Sequence, residues 1–463
     1  MIKTVRTALV GAVAAALIPL AMPSAAAEQP STPGADFGRP LQPIDGFGFS
    51  EAFQRADLMR GAGGLTPEHR REVLDLLLNR RTGAGLSILR LGIGSSSDEV
   101  YDHMKSIQPT DPGGPDAPPR YEWDGKDGGQ VWLAKEAKRY GVQRFYADAW
   151  SAPGYMKTNG TDANGGTLKP EWRRAYADYL VQYAKFYRQE GIRITDLGFT
   201  NEPDLATSYA SMQFTPKEAA ETVKAVGPAV RRAGIDLVCC DAAGWKQQAE
   251  YSAAIEADPE ASRFVGTHTG HPYVTPSDQP LPTDRRTWMS EWSPNGTTWN
   301  EAWDDGSGYD GLAVAEAIHT TLADARASAY VYWFGASIGA TRGLIQLDGA
   351  DYHVSKRLWA LAAYSRFVRP GAVRVAASAG AAAADGVKVT AFRNRDGGRV
   401  LEILNTGREA VRTDFAVSGG RGTGSLYRTD ETHSLSRVGR AVVRGGALDV
   451  ELPPRALTTV VLP

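Results

Sequence analysis

The chain has 463 residues, 42% hydrophobic and 22% charged, room for one large domain and a smaller one of ordinary soluble composition. Its net charge of −2 provides no electrostatic drive toward nucleic acid or an anionic membrane. Basic pairs such as Arg70-Arg71, Arg80-Arg81 and Arg285-Arg286 are scattered rather than gathered into a stripe.

The N-terminus reads as a secretory signal over residues 1–27. Lys3 and Arg6 supply the positive start, Leu9 to Met22 the apolar run, and Ser24-Ala25-Ala26-Ala27 the small-residue cleavage site. The run is short for a bilayer span, and no other stretch is long and apolar enough for one. A secreted, extracellular protein is therefore expected. Residues 28–44 are Pro-rich and are expected to add an N-terminal segment to a side β-sandwich.

Over residues 45–367, short apolar runs alternate with amphipathic helical segments, which argues for β-α units around a parallel sheet. The strand candidates are Phe47–Phe49, Leu86–Leu91, Arg144–Asp148, Thr195–Thr200, Asp236–Cys240, Phe264–Thr267, Thr287–Ser290 and Ala329–Trp333. Eight is the number that a closed (β/α)8 TIM barrel requires. Helix starts are signalled by Thr66-Pro67 and by Thr215-Pro-Lys-Glu218, a capping box. Residues 172–189 carry apolar and aromatic positions at helical spacing, and Gly191 follows as a stop. The two cysteines, Cys239 and Cys240, are adjacent. Neighbours in sequence close only a strained ring, so core packing rather than an ordinary staple is expected. After Arg369-Pro-Gly371 the texture changes to alternating runs separated by Gly and Asp/Asn turns. Residues 368–463 read as an attached antiparallel β-sandwich side domain.

Two strand ends carry chemistry: Gly198-Phe-Thr-Asn201-Glu202-Pro203 and Trp288-Met-Ser-Glu291-Trp292. If both strands belong to one barrel, both carboxylates project from its carboxyl-terminal rim into one cleft. Two facing carboxylates lined by tryptophan are what cleavage of a glycosidic bond needs. Glu202 is read as acid/base and Glu291 as nucleophile. Asn201 has an amide suited to a sugar hydroxyl or to the second carboxylate. Singly, each glutamate is also explained as a strand-end salt-bridge partner.

Asp45-Gly-Phe-Gly-Phe-Ser-Glu-Ala-Phe-Gln-Arg-Ala56 resembles the first barrel strand and loop of glycoside hydrolase family 30, one of the clan A retaining glycosidases. Asn201-Glu202-Pro203 resembles that family's acid/base motif, Glu291 stands where its nucleophile would, and Tyr364-Ser-Arg-Phe-Val-Arg-Pro-Gly371 resembles its junction between barrel and side sandwich. The resemblance covers nearly the whole chain after residue 27 and is strongest to the family's xylanase branch. It implies retaining hydrolysis without a cofactor, here endo-type cleavage of β-1,4-xylan or glucuronoxylan by a monomer acting on a plant cell-wall polysaccharide. A β-1,6-galactan hydrolase of the same family and a non-catalytic carbohydrate-binding barrel are the rival readings.

Arg90 ends the second strand and can keep the nucleophile ionised by charge pairing. Trp150, Trp292 and Trp333 offer flat faces for pyranose rings, with core packing as the alternative for each. Tyr155, Trp299 and Trp303 are further loop candidates. His268 matches a histidine that borders the family's sugar site. A tyrosine often follows it by two positions, where Gly270 stands here; Tyr273 is the substitute after a longer loop. No third ligand accompanies His268 and His271, so no metal site is expected. No Gly-x-Gly-x-x-Gly fingerprint opens a helix after a strand. Related glucuronoxylanases hold the uronate branch with arginine from the loop after strand eight. Here that stretch is Phe334–Thr341, with Arg342 further along. Arg55 is then the candidate for a uronate carboxylate, unless it forms a salt bridge at the barrel mouth.

Overall fold

The computed structural model describes residues 32–463 except 101, 297, 340–341 and 420–421; the expected signal peptide lies outside the described residues. The chain enters through β1 (Gly34–Pro43) and then builds a barrel from β2 (Gly46–Ser50), β3 (Ile88–Ile93), β4 (Arg144–Ala149), β5 (Asp196–Gly198), β6 (Asp236–Ala242), β7 (Val265–Gly270), β8 (Arg286–Trp292) and β9 (Ala329–Ser337). Every neighbouring pair from β2 to β9 is parallel, and β9 returns to β2, so the eight strands close. Each sequence-predicted strand falls on one of them.

The helix signals hold. The Thr66 side chain accepts from the His69 N–H at 3.1 Å with Pro67 in the first turn. Thr215 and Glu218 form the reciprocal capping box that starts the helix Pro216–Arg232. The aromatic-rich helix runs over Arg173–Gln189, and Gly191 follows with φ 81°. Among the described residues, no helix is long and apolar enough to cross a membrane.

One pair of strands was not foreseen. After β9, β10 (Gly343–Asp348) pairs parallel with it, and β11 (Asp351–Val354) folds back antiparallel on β10. This hairpin extends the sheet beside the barrel mouth.

The second sheet contains β12 (Val373–Ser378), β13 (Val387–Arg393), β14 (Arg399–Asn405), β15 (Val411–Ser418), β16 (Gly422–Thr429), β17 (Ser436–Arg444), β18 (Ala447–Leu452) and β19 (Ala456–Leu462), with β1 as its ninth strand. Its pairings are antiparallel except β1 with β15, which is parallel. One core runs through both parts: Phe392, Val400, Leu404 and Leu457 of the sheet join the barrel's apolar cluster. Trp303 sits buried in that junction, its indole N–H donating to the Arg455 carbonyl at 2.5 Å. Trp303 is therefore a packing residue and not a cleft residue.

Cys239 and Cys240 correct another expectation. They are buried as anticipated, but the peptide between them is cis and their sulfurs are bonded to each other. Gln248 clamps the surrounding backbone. It accepts from the Cys240 and Ala242 N–H groups at 3.2 Å and donates to the Cys239 carbonyl at 3.2 Å.

Candidate active site

Side chains alternate along a strand, so each barrel strand sends every second residue inward. Ile88, Tyr146, Val238, Trp288, Ala329 and Val331 form a closed apolar floor. One step toward the carboxyl ends, the same inward positions become Arg90, Asp148, Thr269, Ser290 and Trp333. Above them opens a cleft of about 290 Å³ whose lining includes Glu202, Glu291, Tyr209, Tyr273, Trp150 and Trp333.

Glu202 and Glu291 meet there. A carboxylate oxygen of each, together with a ring nitrogen of His271, all lie within 4.8 Å of one another. Glu202 holds a left-handed backbone, φ 47°, a conformation that costs a non-glycine residue about 1–3 kcal/mol and recurs at functional sites. Its N–H donates to the Asp241 carbonyl at 2.8 Å, which ties the turn to the neighbouring strand end. The Tyr209 hydroxyl donates to Glu202 Oε2 at 3.1 Å. His271 Nδ1 lies 3.2 Å from Oε1.

Glu291 receives the Arg90 guanidinium on one oxygen and the Tyr273 hydroxyl, at 3.0 Å, on the other. Arg90 also donates to Asp148 Oδ2 and to Asn201 Oδ1, both at 2.7 Å. Its guanidinium carbon sits 4.4 Å from the centre of the Trp150 ring. Gly198 permits this packing, because a Cβ there would collide with the Asp148 carboxyl.

Burial opposes charge on Arg90, but Glu291, Asp148 and Asp241 outweigh it and hold the guanidinium protonated. Burial likewise opposes charge on His271, yet Glu291, Asp241 and Glu202 raise it to about 10, so the ring is an imidazolium at neutral pH. Burial pushes Glu291 upward, against the pull of His271 and Arg90 toward the carboxylate. Asp148 is driven well up by burial and by Asp241. For Asp241 burial works upward too, but His271 and Arg90 prevail and lower it to about 2. Such a concentration of shifted groups marks a functional cleft. The Glu202, His271 and Glu291 trio has the spacing of metal ligands, although both His271 nitrogens already face carboxylates, Glu202 and Asp241, at 3.2 Å.

Glu202, Glu291, Arg55, Trp150 and Trp333 line the cleft, and Asn201 supports it from below through Arg90. His268 does not reach it. On β7 the inward residues are Thr267 and Thr269, so His268 points outward and pairs with Glu256 at 2.8 Å. The histidine that reaches the two glutamates is His271, and His271-Pro272-Tyr273 has the histidine-x-tyrosine spacing expected three residues earlier. Trp292, next to Glu291, is turned away and packs on the surrounding core. Tyr155 donates to the Gln108 carbonyl at 3.0 Å, and Trp299 to Glu301 at 2.8 Å; neither lines the cleft.

Arg55 does form the salt bridge at the mouth. Its Nη1 lies 2.7 Å from Asp102 Oδ1, its Nε donates to Ser337 Oγ at 3.2 Å, and it stacks 5.0 Å over the Phe334 ring. Arg342 also lines the cleft, although the strand-eight loop had offered no basic residue at the expected position. Asp148, Asp241 and Tyr209 escaped the sequence reading. The two aspartates had a signal: each interrupts an apolar strand at its carboxyl end, as the two glutamates do. Tyr209, in a long loop, had none.

Known proteins share both parts. The model of O-Glycosyl hydrolase family 30 matches residues 75–265, and that of the Glycosyl hydrolase family 30 beta sandwich domain matches residues 371–460. The catalytic domain of GH30 xylanase C from Talaromyces cellulolyticus superposes with a TM-score of 0.85 at 35% identity, covering 93% of this chain and 99% of that one. Glucuronoxylanase XynC of Bacillus subtilis (strain 168) is 28% identical over 352 residues, 72% of this chain and 77% of its own. Endo-1,6-beta-D-glucanase neg1 of Aspergillus fumigatus is 25% identical over 395 residues, 76% of this chain and 78% of its own.

Proposed function

The chain belongs to glycoside hydrolase family 30, and from that premise we propose that it is a secreted retaining hydrolase that cleaves β-1,4-xylan or glucuronoxylan within the chain. The observation that carries the mechanism is the approach of the Glu202 and Glu291 carboxylates across one cleft, oxygens within 4.8 Å. Carboxyl groups about 5–5.5 Å apart suit direct attack on the anomeric carbon, whereas an intervening water needs about 6.5–9.5 Å.

Glu291, paired with Arg90, attacks the anomeric carbon as Glu202 protonates the leaving oxygen. The glycosyl-enzyme forms and the aglycone departs. Glu202 then takes a proton from water, which attacks the same carbon and releases Glu291 with configuration retained. As Glu291 gives up its charge to the new bond, Arg90 and the Tyr273 hydroxyl release it, and they recapture the carboxylate at the second step. Tyr209 and His271 hold Glu202 from either side.

For xylan, the support is the likeness to the Talaromyces cellulolyticus and Bacillus subtilis xylanases and an aromatic wall of Phe53, Trp150 and Trp333, ring centres 5.4–6.1 Å apart. The likeness to a β-1,6-glucanase favours a second reading, a β-1,6-glycan hydrolase. For secretion, the support is the pattern of residues 1–27. Chromatography of products from xylan, glucuronoxylan, β-1,6-glucan and β-1,6-galactan tests the assignment. Oligosaccharides of several lengths from a xylan, and none from the β-1,6 polymers, are expected. Products from a β-1,6 polymer alone overturn the xylan reading, and release of a single small sugar from chain ends overturns internal cleavage.

A further inference from the structure

Asp241 lies between the two halves of the reaction centre. It is fully buried at the end of β6 with φ 54°, and polar groups reach its carboxylate from four other strands or the loops that follow them. From β4 and β8, the Tyr146 and Ser290 hydroxyls donate to its two oxygens. From β7, Thr269 Oγ1 donates at 2.8 Å. Just beyond β7, His271 Nε2 lies 3.2 Å away, and Arg90 Nη2, on β3, lies 3.7 Å away. Its carbonyl accepts the Glu202 N–H. The titratable and charged groups around it are thus Arg90, Tyr146, Asp148, Glu202, His271 and Glu291.

These contacts join two arms. An imidazolium has two N–H donors pointing apart. With Nε2 fixed on Asp241, Nδ1 of His271 is aimed at Glu202. In the other direction, Asp241 and Asp148 hold one edge of the Arg90 guanidinium and leave Nη1 for Glu291. Asp148 lacks a hydrogen bond to His271, so among the described residues Asp241 is the carboxylate that hydrogen-bonds His271 while also pairing with Arg90.

We propose that Asp241 is a positioning residue that couples the two reacting carboxylates, one buried anion holding His271 against Glu202 and Arg90 against Glu291. This rests on the assignment of Glu202 as acid/base and Glu291 as nucleophile. The device makes the two partners interdependent. Removing the anion frees Arg90 to act more fully on Glu291 and lets His271 lose its proton more readily. Removing the His271 cation instead withdraws a charge that favours the Glu291 carboxylate.

The test is the pH profile of kcat/KM and the separate kcat and KM of Asp241→Asn and His271→Asn, on the polysaccharide that the wild-type enzyme cleaves. Loss of positioning is expected to lower kcat by about 10²-fold in Asp241→Asn and to leave KM nearly unchanged. Its acid limb, set by Glu291, should move to lower pH, by about one unit. In His271→Asn the acid limb should move the opposite way, to higher pH. A slower Asp241→Asn enzyme whose acid limb stays at its wild-type position overturns the proposal, as does an acid limb that moves the same way in both variants. If Asp241→Asn does not fold, an unmoved acid limb in His271→Asn overturns it alone. Labelling of wild-type Glu291 by a fluorinated sugar tests the underlying assignment independently. Label on Glu291 with an unmoved acid limb in the variants sinks only the coupling; label elsewhere sinks the assignment.

Discussion

The floor and the mouth of the barrel are made by the same strands, one inward position apart, and they obey opposite rules. In the floor, Trp288, Tyr146, Val238 and their neighbours bury apolar surface, and burial is worth roughly 25 cal/mol per Å². Its one indole N–H is met by Asp45 at 2.9 Å. In the mouth, Arg90, Asp148, Asp241 and His271 are each fully buried and charged or titratable. Desolvation there costs several kcal/mol per ion, and each is tolerable only with its partners in place. The floor makes a barrel; the mouth uses the rigidity so gained to hold charges where water would otherwise scatter them. Substitutions in the two layers should therefore fail in different ways.

The largest effect is expected at Glu202. Glu202→Ala should lower turnover of the polysaccharide by about 10²–10⁴-fold while retaining more activity on substrates with activated leaving groups, which need no proton. Azide should rescue it with configuration retained, and should rescue Glu291→Ala with configuration inverted. Steady-state rates and product anomers measure both; equal loss on poor and activated leaving groups would remove the acid/base role.

Arg90→Met strips the counter-charge from three buried acids and should destabilise the fold by about 3–5 kcal/mol. The sign of its pH effect is also fixed. Arg90 favours the Glu291 carboxylate against the upward push of burial, and activity needs that carboxylate ionised. Activity is thus lost as pH falls through a raised pKa, and Arg90→Met should move the acid limb further up. A variant as stable as the wild type, with the limb unmoved, would place the mouth under the floor's rules.

At the rim, Arg55 already pairs with Asp102, and a uronate would have to share or displace that partner. Arg55→Ala should cost about 10- to 100-fold on glucuronoxylan, the value of a charge-assisted contact of roughly 1.5–3 kcal/mol, and leave unbranched xylooligosaccharides nearly unchanged. A parallel fall on both substrates would make Arg55 purely structural. The smallest effect belongs to the floor. Trp288→Phe removes the hydrogen bond to Asp45 and should lower stability by about 1–2 kcal/mol in denaturant unfolding. The pH profile should stay where it was; a shifted profile would mean that the layers are not separable.

The floor and the strands are more legible in the sequence than the mouth. Apolar runs with capped helices between them carry a local signature, and Thr215 with Glu218 forms its capping box as the spacing predicts. Glu202 and Glu291 were legible because a lone carboxylate ends each apolar strand. His268 and His271 were confused because inward parity on β7 depends on register with β6 and β8, which includes a shift near Cys240; a slip of this kind exchanges the two faces of a strand. On β8 a register shift between Met289 and Trp292 breaks the alternation, so Glu291 follows the inward Ser290 into the cleft while Trp292 packs on the core. Asp241 and Tyr209 act through partners far away in sequence, and Tyr209 reaches Glu202 only because its loop folds back.

The most direct measurement is the residue that becomes glycosylated. Incubation with a 2-fluoro xyloside or xylobioside bearing an activated leaving group, followed by peptide mapping, should place one sugar on Glu291, in the peptide that contains Trp288 and Trp292, and the product released on turnover should keep its anomeric configuration. A sugar on any other residue, or a product of inverted configuration, would contradict direct attack by Glu291 across the cleft from Glu202.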